Sequence, residues 1–354
     1  MASLMERMAK SGHVKAKSIA DSSIFAEKPI IKTDLPIINV AFSGSIDGGL
    51  VPGLTVIAGQ SKTFKSLISL YCLKAFQDKY PEGIALFYDC EYGISEDYMK
   101  MVGVDPNRVL YLEIENIEQL KFDMVQKLKS VEKNDKVFIL IDSIGNMASV
   151  KEVEDAINEK SVADMSRAKS LKSLFRITTP LVVKNNVYCI AINHIYMEQG
   201  LYPKAIVSGG TGIMYSANQV FIIGKSQIKS GTEIIGYDFT INIEKSRYVK
   251  EKSKLPFTVL NNAGIQKWSS MFELAEEAGF IEKPKVGWYV TVDPESGEVS
   301  ETNRRKADVE KDDAFFTKLV NNAEFKKFVE RKYKLTNEEI AQLDQSISMD
   351  EDEE

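Results

Sequence analysis

The sequence predicts an α/β fold with a mostly parallel central sheet, an N-terminal arm and a small C-terminal α+β domain. Three observations predict it. Short apolar runs alternate with helical patterns from about residue 35 to 260. One of those runs opens into a glycine-started loop that ends in Lys-Ser. Beyond about 265 the texture changes, and helical periodicity returns around a polar stretch.

The strand-like runs are Leu54 to Ala58, Ile84 to Tyr88, Val137 to Ile141, Val187 to Ile192, Gln219 to Ile223 and Tyr237 to Ile243. Helical patterns lie around 65–79, 117–132 and 160–176. Continuous apolar strands alternating with helices belong to a sheet covered on both faces. The last two strands follow each other with no helix between them, so antiparallel strands are expected to close the sheet. Farther on, Phe272 to Gly279 reads as a short helix with a glycine stop, Gly287 to Val292 as a strand, and Ala314 to Tyr333 as helical. The chain divides as an arm over 1–34, a core over 35–264, a small domain over 265–342 and an acidic tail over 343–354.

Bulk properties narrow the class. No apolar run reaches eighteen residues, so no membrane-spanning helix is expected. No apolar stretch of secretory type leads the chain, and a cytoplasmic protein is expected. Cys72, Cys90 and Cys189 lie far apart and read as reduced thiols rather than a disulfide or zinc framework. Net charge is -6, and Asp350 to Glu354 are all acidic, which leaves about -1 for the rest. Any nucleic-acid contact must come from local basic clusters. The first twenty residues carry Arg7, Lys10, Lys15 and Lys17 against Glu6, with Leu4, Met5 and Met8 on one side of a short helix. They form a frayed end or an arm that docks elsewhere.

The loop is Gly59-Gln60-Ser61-Lys62-Thr63-Phe64-Lys65-Ser66, between an apolar strand and an amphipathic helix. In that setting backbone N–H groups at the helix start bind phosphate oxygens. Lys65 reaches the β- and γ-phosphates of ATP, and Ser66 holds Mg²⁺. Phe64 stands where glycine is usual, so its ring must point away from the nucleotide and pack elsewhere. Val137 to Ser143 is an apolar strand ending in Asp142, a second Mg²⁺ partner acting through water. Ile84 to Tyr88 leads into Asp89-Cys90-Glu91, which brings acids to the same sheet edge. Glu91 is the candidate to activate water, with a surface turn as the plain alternative.

These residues resemble the RecA family. The loop, the Asp-x-Glu and the Ile-Asp-Ser recur in its order. Val187 to His194 is similar to the family strand that ends in Asn-Gln, and Gly209-Gly210-Thr211-Gly212 to the glycine pair closing its second DNA loop. Phe64, His194 in place of glutamine, and Lys245-Ser246-Arg247 resemble the UvsX recombinases of large tailed phages. The similarity spans about 20 to 340.

The resemblance implies a RecA-like P-loop ATPase core and a helical filament on single-stranded DNA that pairs with duplex DNA and exchanges strands. ATP lies between subunits. The apolar patch Ser23-Ile24-Phe25-Ala26, following a basic segment with no core of its own, is expected to make the arm over 1–34 join neighbours. The resemblance places Tyr98 on adenine, His194 at the catalytic centre, and Lys245 with Arg247 on a neighbour's γ-phosphate, where Lys250 and Lys252 fit the same run. Single-strand-binding and mediator proteins are implied partners, and a bacterial host's cytoplasm the location. Two segments resemble the DNA loops, Gly145 to Ala163 with Lys151 and Lys160, and Ile195 to Gly212 with Lys204, Gly209 and Gly210. Tyr196 and Tyr202 suit base stacking. Lys169, Lys172 and Arg176, with Arg167 before them, form a stripe that tracks phosphates or is a solvated face. A hexameric helicase or a KaiC-like ATPase would share the ATP motifs. The glycine-closed second loop, the arm and the acidic tail favour the recombinase.

Overall fold

The computed structural model describes residues 3–14, 16, 18–19, 28–158, 166–198, 204–261 and 264–336. The first helix, α1 (Leu4–Lys10), starts at a Ser3/Glu6 capping box and buries no residue. Next comes α2 (Pro36–Ser43), every residue of which is buried. Alternation then sets in with β1 (Gly53–Gly59), α3 (Lys65–Lys79), β2 (Ile84–Asp89), α4 (Glu96–Val102), β3 (Val109–Glu113), α5 (Ile117–Ser130) and β4 (Val137–Asp142). After these come α6 (Val150–Ile157), α7 (Ser166–Lys184), β5 (Tyr188–Asn193), β6 (Ile195–Met197), β7 (Ala205–Val207) and α8 (Thr211–Ser216). A long hairpin follows, β8 (Gln219–Ser230) and β9 (Glu233–Lys245), then β10 (Lys254–Leu260) and β11 (Gly264–Gln266). The chain continues with α9 (Ser269–Glu277), β12 (Ile281–Lys285), β13 (Trp288–Thr291), α10 (Lys306–Val309), α11 (Asp313–Asn321) and α12 (Ala323–Tyr333).

Nine strands form one sheet in the order β11-β10-β9-β8-β1-β5-β4-β2-β3. From β8 to β3 every pairing is parallel, and β9, β10 and β11 add antiparallel. The expected antiparallel closure is therefore present. Side chains alternate across the sheet. Phe138 and Leu140 join a core on the α2 and α3 face, whereas Val137, Ile139 and Ile141 join a second core on the α5 and α7 face. Burial on both faces explains why β1, β4 and β5 read as unbroken apolar runs.

Strands missing from the sequence reading lack that signature. The edge strand β3 is half exposed, Val-Leu-Tyr-Leu-Glu, and shows no continuous run. In β10 Pro256 pairs with Thr240 of β9, while β11 reaches only Thr258 to Leu260. The proline therefore sits where β10 has no second neighbour, which is the place a strand tolerates it. The hairpin β8–β9 runs well past its apolar part as a polar ribbon that turns at Gly231 (φ 62°). Helix α7 runs on past Pro180 to Lys184, farther than the pattern over 160–176. The periodicity from Ala314 to Tyr333 is two helices, separated at Asn322, whose side chain caps the second by accepting from the Phe325 N–H.

The C-terminal elements share the core of the α3 face. Trp268 stacks on Phe316 at 5.5 Å, and its indole N–H donates to Asp313 Oδ1 at 2.9 Å. Phe272, Phe316, Phe325 and Val329 belong to the same apolar cluster as Leu70 and Phe221. The backbone closes the unit a second time, because Lys250 N–H donates to Tyr333 O and Leu335 N–H to Tyr248 O. The three cysteines are free, with Cys72 and Cys189 buried. Among the described residues no helix is long and apolar enough to cross a membrane.

Phe316 is fully buried in this shared cluster. Phe316→Ala is expected to lower the unfolding free energy by about 3–5 kcal/mol through the lost transfer energy and the cavity left behind. Urea unfolding of the full chain, at fixed protein concentration, measures it.

Candidate nucleotide and DNA site

Parallel pairing puts the C-terminal ends of β1, β5, β4 and β2 on one edge. Gly59, Asn193, Asp142 and Asp89 are the last residues of those four strands. The sheet edge expected to hold the ligand is therefore the edge where all the candidate acids and the loop converge.

The loop is held in shape by its own side chains. Thr63 Oγ donates to Gln60 O at 2.8 Å, and Lys65 Nζ donates to Gly59 O at 3.2 Å and Gln60 O at 2.8 Å. Lys65 is buried, and burial pulls its ammonium pKa down while Asp142 and Glu91 oppose the shift. Lys62 (φ 60°) and Phe64 (φ 57°) take the left-handed conformation that glycine accepts more readily. As expected, the Phe64 ring leaves the loop: it meets Phe239 edge to face at 5.1 Å. That packing offsets the backbone strain. Lys225, on the polar ribbon, donates to Lys62 O at 3.1 Å.

Ser66 Oγ donates to Asp142 Oδ2 at 2.7 Å. Burial pushes the Asp142 carboxyl up to about 6; the Ser66 hydrogen bond and Lys65 pull it down, and Glu91 and Asp89 add to the rise. A hydroxyl and a carboxylate side by side are hard oxygen donors. They fit a small divalent cation that keeps most of its coordination for water and phosphate oxygens. Among the described residues no group of three or more His, Cys, Asp or Glu could hold a metal ion.

Asp89 is buried and shapes the turn that carries Glu91. Its Oδ1 accepts from the N–H groups of Glu91 and Tyr92, both at 2.9 Å, and its Oδ2 from Tyr111 at 3.3 Å. Glu91 Oε1 in turn faces Ser143 Oγ, Asn146 Nδ2 at 2.9 Å and His194 Nε2 at 2.8 Å. The sequence put Glu91 and His194 at the centre, and the structure brings them into contact across 103 residues. It gave no role to Ser143 or Asn146. Ser143 already stood in the Ile-Asp-Ser motif, but a lone Asn after a strand carries no periodic or charge signal. Cys90, between the two acids, gives its thiol to Ser143 O, and burial raises its pKa to about 11. Tyr98 lies on α4, half-buried against the first core near Tyr71.

The two segments expected to contact DNA start beside this centre. The first leaves β4 and forms α6, whose Val150, Val153 and Ile157 make an exposed apolar stripe that the sequence reading passed over. Lys151 is exposed on the same helix. The second is the β6–β7 hairpin, with Tyr196 and Lys204 exposed. Gly209 (φ 94°) and Gly210 (φ 79°) then lead into α8, and a Cβ on Gly209 would meet Leu171 at 2.6 Å. Lys160 and Tyr202 lie outside the described residues, as do the apolar patch Ser23 to Ala26 and the acidic tail.

Lys169, Lys172 and Arg176 are exposed along α7, and none of them is paired among the described residues. Arg167 differs from them. Its guanidinium donates to Ile144 O at 3.0 Å, Gly145 O at 2.6 Å, Met147 O at 3.0 Å and Ser208 Oγ at 3.4 Å. It clamps the roots of both segments together, a role that one position in a basic stripe does not reveal. Lys245 is also engaged: it donates to Met214 O at 2.8 Å and Tyr215 O at 3.2 Å, capping the C-terminus of α8. Arg247 is exposed.

A strand–loop–helix with Lys65 and Ser66 at the helix start, joined to Asp142 and flanked by two surface segments, gives this chain the form of a P-loop ATPase core. The RecA N-terminal domain family matches residues 36–266, and the family described as the C-terminal domain of the bacteriophage T4 recombination and repair protein matches 268–329. The chain is 44% identical to the recombination and repair protein of Enterobacteria phage T4, over 98% of this chain and 91% of that protein. It is 30% identical to the RecA protein of Mesomycoplasma hyopneumoniae strain J, over 75% and 78%. Identity to the RecA protein of Tropheryma whipplei is 27%, over 73% of this chain and 58% of that one. The chain belongs to the RecA family. It is a nucleotide-binding, DNA-dependent ATPase and recombinase of that family, whose members act on DNA as filaments.

Asp142 supplies a pH test of the site. Its folded pKa of about 6 lies above the ordinary value of 3.8. The folded chain therefore holds this proton more tightly than the unfolded chain, and stability falls as pH rises from about 4 to about 6. Asp142→Asn removes the buried charge. Melting of the nucleotide-free protein should show the variant more stable at pH 7 by about 1–3 kcal/mol, with the difference fading near pH 4. ATP hydrolysis should be lost in the same variant.

Proposed function

We propose that this chain hydrolyses ATP at the Gly59–Ser66 loop with Glu91 as general base, and that hydrolysis turns over a filament on single-stranded DNA. The observation that carries the reading is the 2.8 Å contact between Glu91 and His194. His194 immediately precedes β6, the first strand of the second loop, so the acid at the nucleotide edge touches the root of a DNA loop. A change at either ligand reaches the other through one hydrogen bond.

The roles follow from the chemistry of each group. Backbone N–H groups at the start of α3 bind phosphate oxygens. Lys65 exchanges its two loop carbonyls for phosphate oxygens and offsets charge that builds on them. Ser66 and Asp142 hold Mg²⁺, which when bound neutralises phosphate charge. Glu91 takes the proton of the attacking water. Tyr98 stacks on the adenine ring. Arg247, exposed, and Lys245, once released from α8, serve a neighbour's phosphates.

On the DNA side, Lys169, Lys172 and Arg176 track phosphates, joined by Lys151, Lys160 and Lys204 from the loops. Tyr196 and Tyr202 stack on bases. The N-terminal segment joins subunits, and the acidic tail competes for the basic stripe. Single-strand-binding and mediator proteins attend the filament, in the cytoplasm of a bacterial host.

Two substitutions test the centre. Lys65→Ala should abolish ATP turnover and strand exchange; near-normal DNA-stimulated turnover would remove the loop assignment. Glu91→Gln should keep ATP and DNA binding, yet slow hydrolysis by about 10²-fold or more and leave long-lived filaments visible by electron microscopy. Turnover within a few-fold of wild type would show that the base lies elsewhere.

A further inference from the structure

Glu91 Oε1 carries three donors: Ser143 Oγ, Asn146 Nδ2 and His194 Nε2. A carboxylate has about four lone-pair sites over two oxygens, so three donors exceed what one oxygen can satisfy. Each of these donors occupies a lone pair that a general base must present to the attacking water, so each contact withholds Glu91 from that step.

Asn146 differs from the other two donors. Ser143 belongs to the strand-end motif, and His194 stands at the family's Asn-Gln position. Asn146 belongs to neither, and it lies at the root of the first DNA loop. The carbonyls on either side of it, Gly145 O and Met147 O, are both held by Arg167. Arg167 sits at the start of α7, ahead of the exposed Lys169, Lys172 and Arg176, which have no partner among the described residues. Gly145 also lies against His194: a Cβ there would meet His194 Cδ2 at 2.5 Å and its backbone N at 2.9 Å. Arg167 thus ties α7 to both chain neighbours of Asn146.

We propose that Asn146 is a positioning residue that restrains Glu91 in the DNA-free protein, and that DNA held by the first loop and α7 withdraws it. The restraint is a brake on hydrolysis, and its release makes turnover depend on DNA. It rests on Glu91 being the base.

ATP turnover of the full-length protein, measured with and without single-stranded DNA, tests it. Asn146→Ala should raise the DNA-free kcat about tenfold, the equivalent of one lost hydrogen bond, with KM for ATP unchanged. The DNA-stimulated kcat should stay within about twofold, so the stimulation ratio collapses. Asn146→Gln keeps an amide donor and should restore part of the brake. A gain of turnover is not what a damaged fold produces. Should Asn146→Ala fail to fold, Asn146→Ser, whose hydroxyl is too short to span the contact, replaces it. In Asn146→Ala/Glu91→Gln the raised turnover should vanish. An unchanged or lower DNA-free kcat in folded Asn146→Ala, with Glu91→Gln inactive, overturns the brake alone. Full activity in Glu91→Gln overturns the assignment of the base, and the brake with it.

Discussion

Register between β2 and β4 sets Asp89 directly opposite Asp142, at the last rung of a parallel ladder. Both carboxylates are buried, and burial raises the Asp142 pKa with Glu91 and Asp89 adding to the rise. The surroundings of the site answer this shared burial. Asp89 is satisfied by two backbone N–H groups and Tyr111, which fixes the turn carrying Glu91. Asp142 takes Ser66, which ties the strand to the phosphate loop and leaves the carboxyl poised near 6. Lys65, itself buried, supplies the nearby positive charge. The register thus places the turn that carries Glu91 beside a loop whose own side chains hold its shape.

The same edge brings the phosphate loop and the second surface segment together. Strand β5 lies between β1 and β4, so its end falls between the phosphate loop and Asp142. Asn193 and His194 stand at that end. Asn193 donates to Ser208 O across the mouth of the second loop and accepts from the His194 N–H. The loop therefore opens and closes on a strand end that is already part of the nucleotide edge.

The strand–loop–helix of the phosphate site was legible because its chemistry is local: the apolar run, the glycine, the Lys-Ser pair and the following helix lie within one stretch of chain. The expectation that Phe64 packs away from the nucleotide was also a local argument, and Phe239 is where it packs. Helix α2 was not legible, because it is buried all round and has no polar face to give a period. Strand β3 was not, because an edge strand mixes exposed and buried positions. Ser143, Asn146 and the Arg167 clamp depend on contacts between segments 20 to more than 50 residues apart, and neither periodicity nor charge spacing records them. The arm and the tail remain a matter of composition.

Arg167 grips Ile144, Gly145 and Met147 on one segment and Ser208 on the other with a single planar group. A guanidinium held at four points has little freedom to follow one partner without dragging the rest. The two surface segments are thus joined at their bases by one side chain, so a displacement of either base is passed to the other.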